Sequence, residues 1–569
     1  MDKDNLRSVI FAVAVFFFIQ FWFYFFPTID KNQYAKNVQN VQNVEKVQNI
    51  RKNPFVDTKN VQLCNNKKNN VVKYIDIDTP KVQGKICTKG LLLSELKLLE
   101  YRKNVNIESE KLFLLKKDKY QEYTASLVNF ASQDKSLIVP DENTIWECEN
   151  GVISLSKPLK FSFKSPQGVI FTVEIGIDEN YMFFISNKIC NTSGQKVILK
   201  PYFQINNHVK NDDKDSSIVK NENFIGSIDK SILEYGQDKV SKKKINLFEK
   251  DVSWFGNNSK YWLCSFIPDK NYKYDINLSC IKDVEDIKKF ISKISFSKEF
   301  ELIKDQVCEF SNMLFVGPKQ LSILDNYKKQ YQINLFDKAV DFGYLYFITK
   351  PIFLILNFFY SLLKNYGLSI ILLTVIMRII LFFISRKSDA TIKKMKDIQP
   401  QINYIKEKYK NDHEKQRKEI INLYKKENVS FTGCLPVILQ MPVFFAVYKV
   451  IDISLDLRHA PFFFWIKDLS AKDPISVLNL FGLLDMSLPS FLQIGLLPIF
   501  TSLSMYFQMS FTPASPDPVQ AKTFKILPLM LIFLFANSSS GLLIYWIVSN
   551  VFSILQQIIR NKVSCQKLS

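Results

Sequence analysis

The chain has 569 residues, enough for more than one domain, and carries a formal net charge of +20. An excess of basic residues suits nucleic acid or an anionic membrane surface. However, only 8 of the 75 basic residues are arginines and the lysines are spread along the chain, which argues against direct nucleic-acid recognition.

The first apolar segment follows Lys3 and Arg7 and covers residues 9–26. As a helix rising about 1.5 Å per residue, it is long enough to cross about 30 Å of hydrocarbon. The segment ends in bulky aromatic residues and lacks a lipobox cysteine, which is not typical of a cleaved signal. We therefore predict an uncleaved transmembrane anchor over residues 1–27 that enters from the cytoplasm.

A large polar region follows the anchor. Residues 37–49 form a near-repeat with few large apolar side chains, which is typical of a flexible linker, predicted here over residues 28–60. Within residues 61–340 the pattern changes to β: residues 168–189 alternate around an Asp-Glu-Asn turn, and residues 197–205 follow a Thr-Ser-Gly turn. We predict a large all-β sandwich for this part. Strands that face water on one side show this alternation whether or not they bind a ligand, so no ligand is assigned.

The C-terminal part is dominated by apolar segments. Residues 341–366 include a run that is interrupted by Lys350, Pro351 and Asn357, and we predict an amphipathic helix at the outer membrane interface. Five further segments are predicted to span the membrane as helices, namely residues 368–384, 435–450, 491–509, 524–536 and 542–559. With the anchor, the sequence predicts a polytopic α-helical membrane protein with six transmembrane helices.

Charges in the short loops predict the orientation. Residues 386–430 carry 13 Lys and Arg, whereas residues 449–488 carry four, with five acidic residues. By the positive-inside rule the first segment, a helical hairpin, is cytoplasmic and the second is external. Both termini, including a short tail at residues 561–569, are then cytoplasmic and residues 28–340 lie outside. The charged face of the hairpin fits either a solvated surface or a docking surface for a ribosome or nascent chain.

Signatures of enzymatic chemistry are absent from the sequence. Its three histidines are far apart, and no zinc-protease, nucleotide-binding or serine-hydrolase motif occurs. Seven of the nine cysteines fall within residues 61–340, but that number is odd and no C-x-x-C motif occurs, so no disulfide is assigned. We expect no catalytic residue, no metal site and no cofactor.

One charged residue stands inside a predicted span. Arg378 lies eight residues before Arg386, about 12 Å of helical rise from the cytoplasmic end. The side chain could snorkel to the interface, but a charge near the helix centre still costs about 2.5 to 3.5 kcal/mol. Such residues usually face a bundle interior or a watery cavity, and we favour that interpretation.

Polar residues of other spans can converge with Arg378 on one hydrated hollow open to the cytoplasm. The spans contain no acidic residue, so we predict that the guanidinium is unpaired and draws its counter-charge from water, lipid phosphate or a passing acidic segment. The other residues assigned to this substrate-binding site by type and position are Thr374, Gln440, Gln508, Ser549 and Asn550.

The C-terminal part closely resembles the YidC/Oxa/Alb family of membrane protein insertases, in the bacterial form with an extra first span and a large periplasmic domain. The resemblance is carried, in chain order, by YGLSIILLTVIMRIILF, GCLPVILQMPVFFAVYKV, RHAPFFFWIKDLSAKDP, DPVQAKTFKILP and GLLIYWIVSN. The stretch SWFGNNSKYWLCSFIPDK is similar to a segment of that family's periplasmic domain.

The resemblance implies an insertase core of five helices within residues 367–560. These helices would enclose a hydrophilic groove that is open to the cytoplasm and lipid and closed outside. Arg378, Thr374 and Gln440 match groove positions, and Tyr545 and Trp546 match an aromatic pair in the last span.

The predicted function is therefore a membrane protein insertase and chaperone, not an enzyme, in a bacterial inner membrane. Expected partners are nascent membrane proteins, membrane lipid, the Sec translocon and the ribosome through residues 386–430, and insertion is expected both with and without the Sec translocon. One alternative is a secondary transporter of small anions that binds them at Arg378, but no second copy of that span occurs, as paired repeats would require. A membrane-anchored periplasmic binding module is a further alternative, and it leaves the polar groove unexplained.

Overall fold

The computed structural model describes residues 71–566 except 107, 118–121, 156, 211–222, 283–286, 411, 428–434, 478–492 and 512–517. The predicted anchor over residues 1–27 and the linker over residues 28–60 lie outside the described residues. The described chain forms two compact units, one of strands and one of helices, with the boundary between Val340 and Asp341.

The first unit consists of two antiparallel sheets and two helices. Its strands are β1 (Tyr74–Asp78), β2 (Val82–Cys87), β3 (Leu92–Arg102), β4 (Lys111–Lys117), β5 (Glu122–Ala131), β6 (Glu147–Cys148), β7 (Leu159–Lys164), β8 (Val169–Ile177), β9 (Met182–Asn191), β10 (Val197–Lys210), β11 (Asn223–Ile228), β12 (Ser231–Gly236), β13 (Ile245–Lys250), β14 (Val252–Asn258), β15 (Trp262–Ile267), β16 (Tyr274–Lys282), β17 (Ile287–Phe296), β18 (Phe300–Leu302) and β19 (Val307–Pro318). The helices are α1 (Gln237–Lys242) and α2 (Leu321–Gln330).

The two sheets pack face to face. One has the order β1-β2-β3-β4-β5-β10-β17-β16-β13, with β18 beside β10, and the other has the order β12-β11-β14-β15-β19-β9-β8-β7-β6. Phenylalanines join them across the core: the ring of Phe203 on β10 lies 5.2 Å from that of Phe266 on β15. The predicted sandwich is therefore confirmed, with two helices added to it.

The predicted hairpin at residues 168–189 is also confirmed. β8 and β9 pair antiparallel across a turn at residues 178–181, and the partners Ile175 and Ile185 are both buried. β10, which follows the Thr-Ser-Gly turn, does not continue this sheet but pairs with β5 and β17 in the other one. The chain therefore changes sheets at this turn.

The second unit is helical. Its helices are α3 (Tyr346–Leu363), α4 (Tyr366–Asp397), α5 (Gln399–Lys408), α6 (His413–Lys426), α7 (Leu435–Ile453), α8 (Leu496–Phe511), α9 (Pro518–Phe535) and α10 (Ser540–Gln566). The predicted spans after residue 366 coincide with α4 and α7 to α10. α8 begins five residues after the predicted start of its span, because the backbone of residues 494–495 pairs with that of residues 476–477 instead of coiling.

Two of the described helical segments are long and apolar enough to cross a membrane by length and composition, namely Tyr346–Leu363 and Ser540–Ile559. Tyr366–Phe382 and Ile526–Phe535 are shorter apolar helices. The count of six spans therefore stays a prediction.

α3 forms within the segment for which the sequence predicts an amphipathic helix at the outer interface, and that placement stays a prediction. One stripe, which includes Ile352 and Leu356, is buried, whereas Phe347, Phe358 and Leu362 on the opposite stripe are exposed. Large apolar side chains thus lie on both faces. The polar side chains expected on the outer face do not dominate it, since Lys350 and Asn357 are half-buried and bond to the tyrosines at 346 and 366.

The charged segment after α4 forms two short helices. α4 continues beyond the predicted end of its span to Asp397, and α5 and α6 share a small core around Ile402 and Leu423. Asp412 precedes α6, and its carboxylate accepts a hydrogen bond from the Lys415 N–H and caps this helix.

Candidate functional site

Arg378 of α4 is bonded to a serine of α10. Its Nε donates to Oγ of Ser549 at 2.7 Å, and its Nη2 donates to the same oxygen. The arginine side chain is half-buried and Ser549 is buried. The sequence predicted a guanidinium without a counter-charge and did not predict this hydrogen bond, because the packing of the Ser549 face of α10 against α4 depends on residues that are distant in sequence. The partner is neutral, however, and no carboxylate among the described residues pairs with Arg378.

A second hydrogen bond continues this arrangement to α7. Tyr545 precedes Ser549 by one helical turn and lies on the same face of α10. Its hydroxyl accepts a hydrogen bond of 3.0 Å from Nε2 of Gln440 on α7. Arg378, Gln440, Tyr545 and Ser549 thus form one group on three helices, which we call the polar cluster.

Two other residues assigned to the site from sequence, Thr374 and Asn550, form hydrogen bonds to groups outside the polar cluster. Thr374 is fully buried and its hydroxyl donates to the backbone carbonyl of Ile370 on its own helix, at 2.6 Å. Asn550 donates from Nδ2 to Oγ of Ser504 on α8, at 2.9 Å. Consecutive helical residues point about 100° apart, so Asn550 faces a different neighbour from Ser549. The hydrogen bonds thus connect Asn550 to Ser504 separately from the polar cluster, and a single hollow that includes all these groups stays a prediction.

Ser504 was not assigned to the site from the sequence, although the spacing of polar residues on α8 indicates that it belongs there. Thr501, Ser504 and Gln508 are spaced i, i+3 and i+7 on α8, which places them on one helical face. The side chain of Gln508 is half-buried near the end of this helix.

Trp546 joins an aromatic group. Its ring lies 4.7 Å from that of Phe444 on α7 and 4.9 Å from that of Phe535 on α9, measured between centroids. The two aromatic residues of α10 therefore have different roles. Tyr545 belongs to the polar cluster, whereas Trp546 packs against α7 and α9.

The two ends of the helical unit differ in polarity. Near the N-terminal end of α10, Leu542 and Leu543 are almost completely buried, as is Ile370 on α4. Packing there is tight, because a Cβ on Gly541 would lie 3.3 Å from a methyl carbon of Ile370. Towards the C-terminal end, α10 carries Ser549, Asn550, Ser553 and Gln556. The polar cluster thus marks the change from an apolar end to a polar one.

A loop covers the apolar end. In the segment between α7 and α8, the carbonyl oxygens of Leu469 and Ala471 accept hydrogen bonds from the N–H groups of Gly541 and Ser540, at 2.9 and 2.8 Å. The buried carboxylate of Asp473 accepts one of 2.7 Å from the Leu497 N–H. The loop therefore satisfies otherwise unbonded donors at the first turns of both α8 and α10.

The pKa values of His459 and Asp178, which both lie outside the predicted spans, are shifted. Burial, and to a smaller degree Arg458, lowers the pKa of His459 in the α7–α8 loop, although Asp468 opposes the shift. In the sandwich, burial raises the pKa of Asp178, whose Oδ2 accepts a 2.5 Å hydrogen bond from the hydroxyl of Tyr327. No group of three or more His, Cys, Asp or Glu suited to a metal ion occurs among the described residues.

Family comparisons match both units of the chain. Residues 74–355 match the family model described as YidC periplasmic domain, and residues 358–567 match the one described as 60Kd inner membrane protein.

Individual relatives extend over most of the chain. It is similar to the membrane protein insertase YidC of Rickettsia bellii, with 40% identity over 494 residues that cover 86% of this chain and 87% of the relative. The corresponding protein of Rickettsia conorii is 39% identical over 496 residues, 86% of this chain and 88% of the relative. A crystal structure of an active YidC insertase with its first transmembrane domain resolved is 17% identical, with a TM-score of 0.34, and covers 85% of this chain and 92% of that one.

Proposed function

Because the chain belongs to the YidC family of inner-membrane protein insertases, which carry a periplasmic domain, we propose that its polar cluster receives the polar segment of a client protein during insertion. Insertion is not an enzymatic reaction, and the substrates of an insertase are nascent membrane proteins. The main barrier to insertion is the free energy needed to move a polar segment of the client from water through hydrocarbon.

The hydrogen bonding of Arg378 carries this proposal. Ser549 holds the guanidinium in place through a neutral oxygen, so the positive charge is oriented but not cancelled. Two unit charges 4 Å apart attract by about 4 kcal/mol at an effective dielectric constant of about 20. An acidic residue of a client that reaches Arg378 would gain an interaction of this order, which offsets part of the cost of leaving water.

The polarity gradient along α10 supports a groove that is closed outside and open to the cytoplasm. Arg378 lies twelve residues from the first residue of α4, Tyr366, which corresponds to about 18 Å of helical rise. Water that enters as far as Arg378 would shorten the dry path from about 30 Å to about 18 Å. The packed leucines at the other end would prevent a continuous pore.

We further propose the membrane topology that the loop charges predict. An anchor at residues 1–27 and five spans within residues 367–560 give six crossings, with both termini in the cytoplasm. A linker at residues 28–60 and the sandwich at residues 61–340 lie in the periplasm. Residues 341–366 lie at the outer interface, and the cytoplasmic elements are the hairpin 386–430 and the tail 561–569.

Three further partners follow from this arrangement. The hairpin carries 13 basic residues and an exposed Tyr404, which suits the phosphate backbone and protein surface of a ribosome. Membrane lipid would contact the exposed apolar stripe of α3. The Sec translocon is proposed as a partner for clients that need both machines, whereas others are inserted by this protein alone.

Rescue of a strain depleted of its own insertase tests the role of Arg378. Arg378→Lys keeps a cation and is expected to insert clients with acidic periplasmic segments, whereas Arg378→Ala is impaired and Arg378→Glu is impaired most. Lys135→Ala, which removes an exposed cation of the sandwich, is the control and should insert as the parent does. If Arg378→Glu inserted acidic clients as well as the parent does, the electrostatic proposal would be wrong.

Crosslinking separates an insertase from the alternative anion transporter, which the relatives do not favour. A photoreactive residue in place of Gln440 should capture a ribosome-bound nascent membrane protein. The same residue in place of Ile380, which is exposed on α4, should capture much less of the polar segment. A transporter of small anions would capture no nascent chain at either position.

A further inference from the structure

The loop between α7 and α8 exposes two phenylalanines at its tip. Phe463 is 49% exposed and Phe464 is 93% exposed. Phe464 also has a φ of +58°, in the left-handed region that bulky side chains rarely adopt. A strained backbone that presents an aromatic ring outward indicates a constraint other than packing within the chain.

The tip is held firmly on both sides, so the exposure does not result from a loose loop. Its backbone is closed by a hydrogen bond of 2.9 Å from the N–H of Phe462 to the carbonyl of Ile466. Ile466 is buried. Trp465, the preceding residue, donates a hydrogen bond of 3.1 Å from Nε1 to Oδ1 of Asp473. The neighbours of Phe463 and Phe464 thus contact the protein. The ring of Phe463 packs on that of Phe462 at 4.6 Å and keeps about half of its surface exposed, whereas the ring of Phe464 points away from the protein.

The depth of the tip follows from its contact with α4. Phe462 lies against Gly367, where a Cβ would come within 2.0 Å of its ring. Gly367 is the second residue of α4, so the tip lies beside the first turn of this helix. In the proposed topology this is the outer end of a membrane span, where hydrocarbon meets the lipid headgroups.

The side chains near the tip are of types that contact membrane lipid. The ring of Tyr366 at the start of α4 stacks on Tyr360 of α3 at 3.8 Å, which brings the exposed end of α3, including Leu362, to the same level. Aromatic side chains are enriched at membrane interfaces, and the exposed Lys467 beyond the tip suits an anionic headgroup. Exposed apolar side chains of α3 and of the loop therefore both lie near the first turn of α4.

We propose that Phe463 and Phe464 insert into the outer leaflet of the membrane and anchor the α7–α8 loop there. The inference rests on the proposed topology and adds a lipid contact to it. Because the same loop caps the first turns of α8 and α10, lipid anchorage of its tip would hold the outer end of the insertase core closed.

Tryptophan quenching in liposomes of phosphatidylethanolamine and phosphatidylglycerol tests the proposal on the full chain. The emission that Phe464→Trp adds to that of the parent should be lost when lipids brominated near the headgroup are used, and it should resist aqueous iodide. Phe248→Trp, at a residue 62% exposed on β13 of the sandwich, is the control and should show the reverse pattern. The proposal would be overturned if iodide alone quenched the Phe464→Trp signal. It would also be overturned if neither agent quenched this signal, which would indicate that a protein covers the site.

A second variant distinguishes failure of the anchor from failure of the topology. Ile380→Trp lies on the exposed face of α4 inside the predicted span and should be quenched by lipids brominated deep in the acyl chains. If this signal is quenched and the Phe464→Trp signal is not, the anchor is wrong and the span stands. If neither is quenched, the proposed topology itself is wrong.

Discussion

Oγ of Ser549 accepts both hydrogen bonds that join the Arg378 guanidinium to α10. A guanidinium has five N–H donors in a fixed plane, and a hydroxyl oxygen has two lone pairs. The serine therefore uses its full accepting capacity on this arginine, while the remaining donors of the guanidinium bond to no other residue in the described part of the chain. Such a contact orients the cation towards a visiting group without neutralising it.

Ser549→Ala tests whether the polar cluster is wet. In a hydrated groove, water replaces the lost hydroxyl, so the free energy of unfolding should fall by less than about 1 kcal/mol. In a dry site, the lost hydrogen bond to a charged group would cost about 1.5 to 3 kcal/mol. Thermal unfolding of the purified protein in detergent measures the difference.

Ser553→Ala is the matched control for this measurement. Its hydroxyl donates only to the backbone carbonyl of Ser549, one turn earlier on the same helix, so its removal should change stability by no more than about 0.5 kcal/mol. A loss of 2 kcal/mol or more for Ser549→Ala alone would exclude water at this depth.

Tyr545→Phe tests the contact between α7 and α10. It removes the oxygen that accepts from Gln440 and leaves the amide of a half-buried side chain without this partner, so we expect a loss of about 1 kcal/mol. In a double-mutant cycle with Gln440→Met, the two substitutions together should cost less than the sum of each alone. Tyr506→Phe, at an exposed tyrosine of α8, should have no effect. Strict additivity would show that the bond contributes nothing.

The sequence was sufficient for features that depend on local pattern. Alternation predicted the β8–β9 hairpin, apolar runs predicted the helices α4 and α7 to α10, and a single charge inside an apolar span singled out Arg378. It was not sufficient for features that depend on contacts between distant segments. Nothing near Ser504 reveals its bond to Asn550, and nothing near Asp473 reveals that it caps a helix that begins more than twenty residues later.

Gly256→Ala tests the sandwich at the stretch that resembles the family's periplasmic domain. A Cβ on Gly256 would lie 2.0 Å from the carbonyl oxygen of Cys264 on the paired strand, and backbone cannot yield as a side chain can. We expect a loss of about 3 kcal/mol or more. Urea unfolding followed by the fluorescence of Trp254 and Trp262 measures it.

Gly236→Ala is the control in the same unit. The nearest atom to its added Cβ is the side-chain oxygen of Asn223 at 3.7 Å, and its φ of −72° suits any residue. The change in stability should stay within about 0.5 kcal/mol. Equal effects of the two substitutions would contradict the close approach of β14 and β15.

The lowered pKa of His459 predicts that acid destabilises the α7–α8 loop. Burial holds its pKa below the ordinary value of 6.5. The unfolded loop therefore binds the proton more readily, and the stabilising contribution of neutral His459 is lost as the pH falls below 6.5. Hydrogen exchange of residues 458–477 should accelerate in that range. His459→Asn, which tolerates the φ of +60° and carries no proton, should remove the pH dependence.

Asp473 is expected to be the most sensitive residue of this loop. Its carboxylate accepts hydrogen bonds from Trp465 Nε1, from the Ile475 N–H at 3.1 Å and from the Leu497 N–H. Asp473→Ala leaves three donors without their partner and removes a negative charge from the N-terminus of α8, so we expect a loss of about 2 to 4 kcal/mol. Amide exchange at Leu497, Ser540 and Gly541 should accelerate together, because one loop caps both helices.

Gly495→Ala provides an independent test of the same contact. The added Cβ would lie 2.6 Å from Cβ of Asp473 and should displace the carboxylate without removing its charge, so the same amides should exchange faster. Lys472→Ala is the control, since this adjacent side chain bonds only to Gln493 at the exposed surface and its loss should cost less than about 0.5 kcal/mol. If Asp473→Ala loosened α8 but left Ser540 and Gly541 protected, the loop would not connect the two helices. Their simultaneous release would instead show that a single buried carboxylate stabilises the closed end of the core.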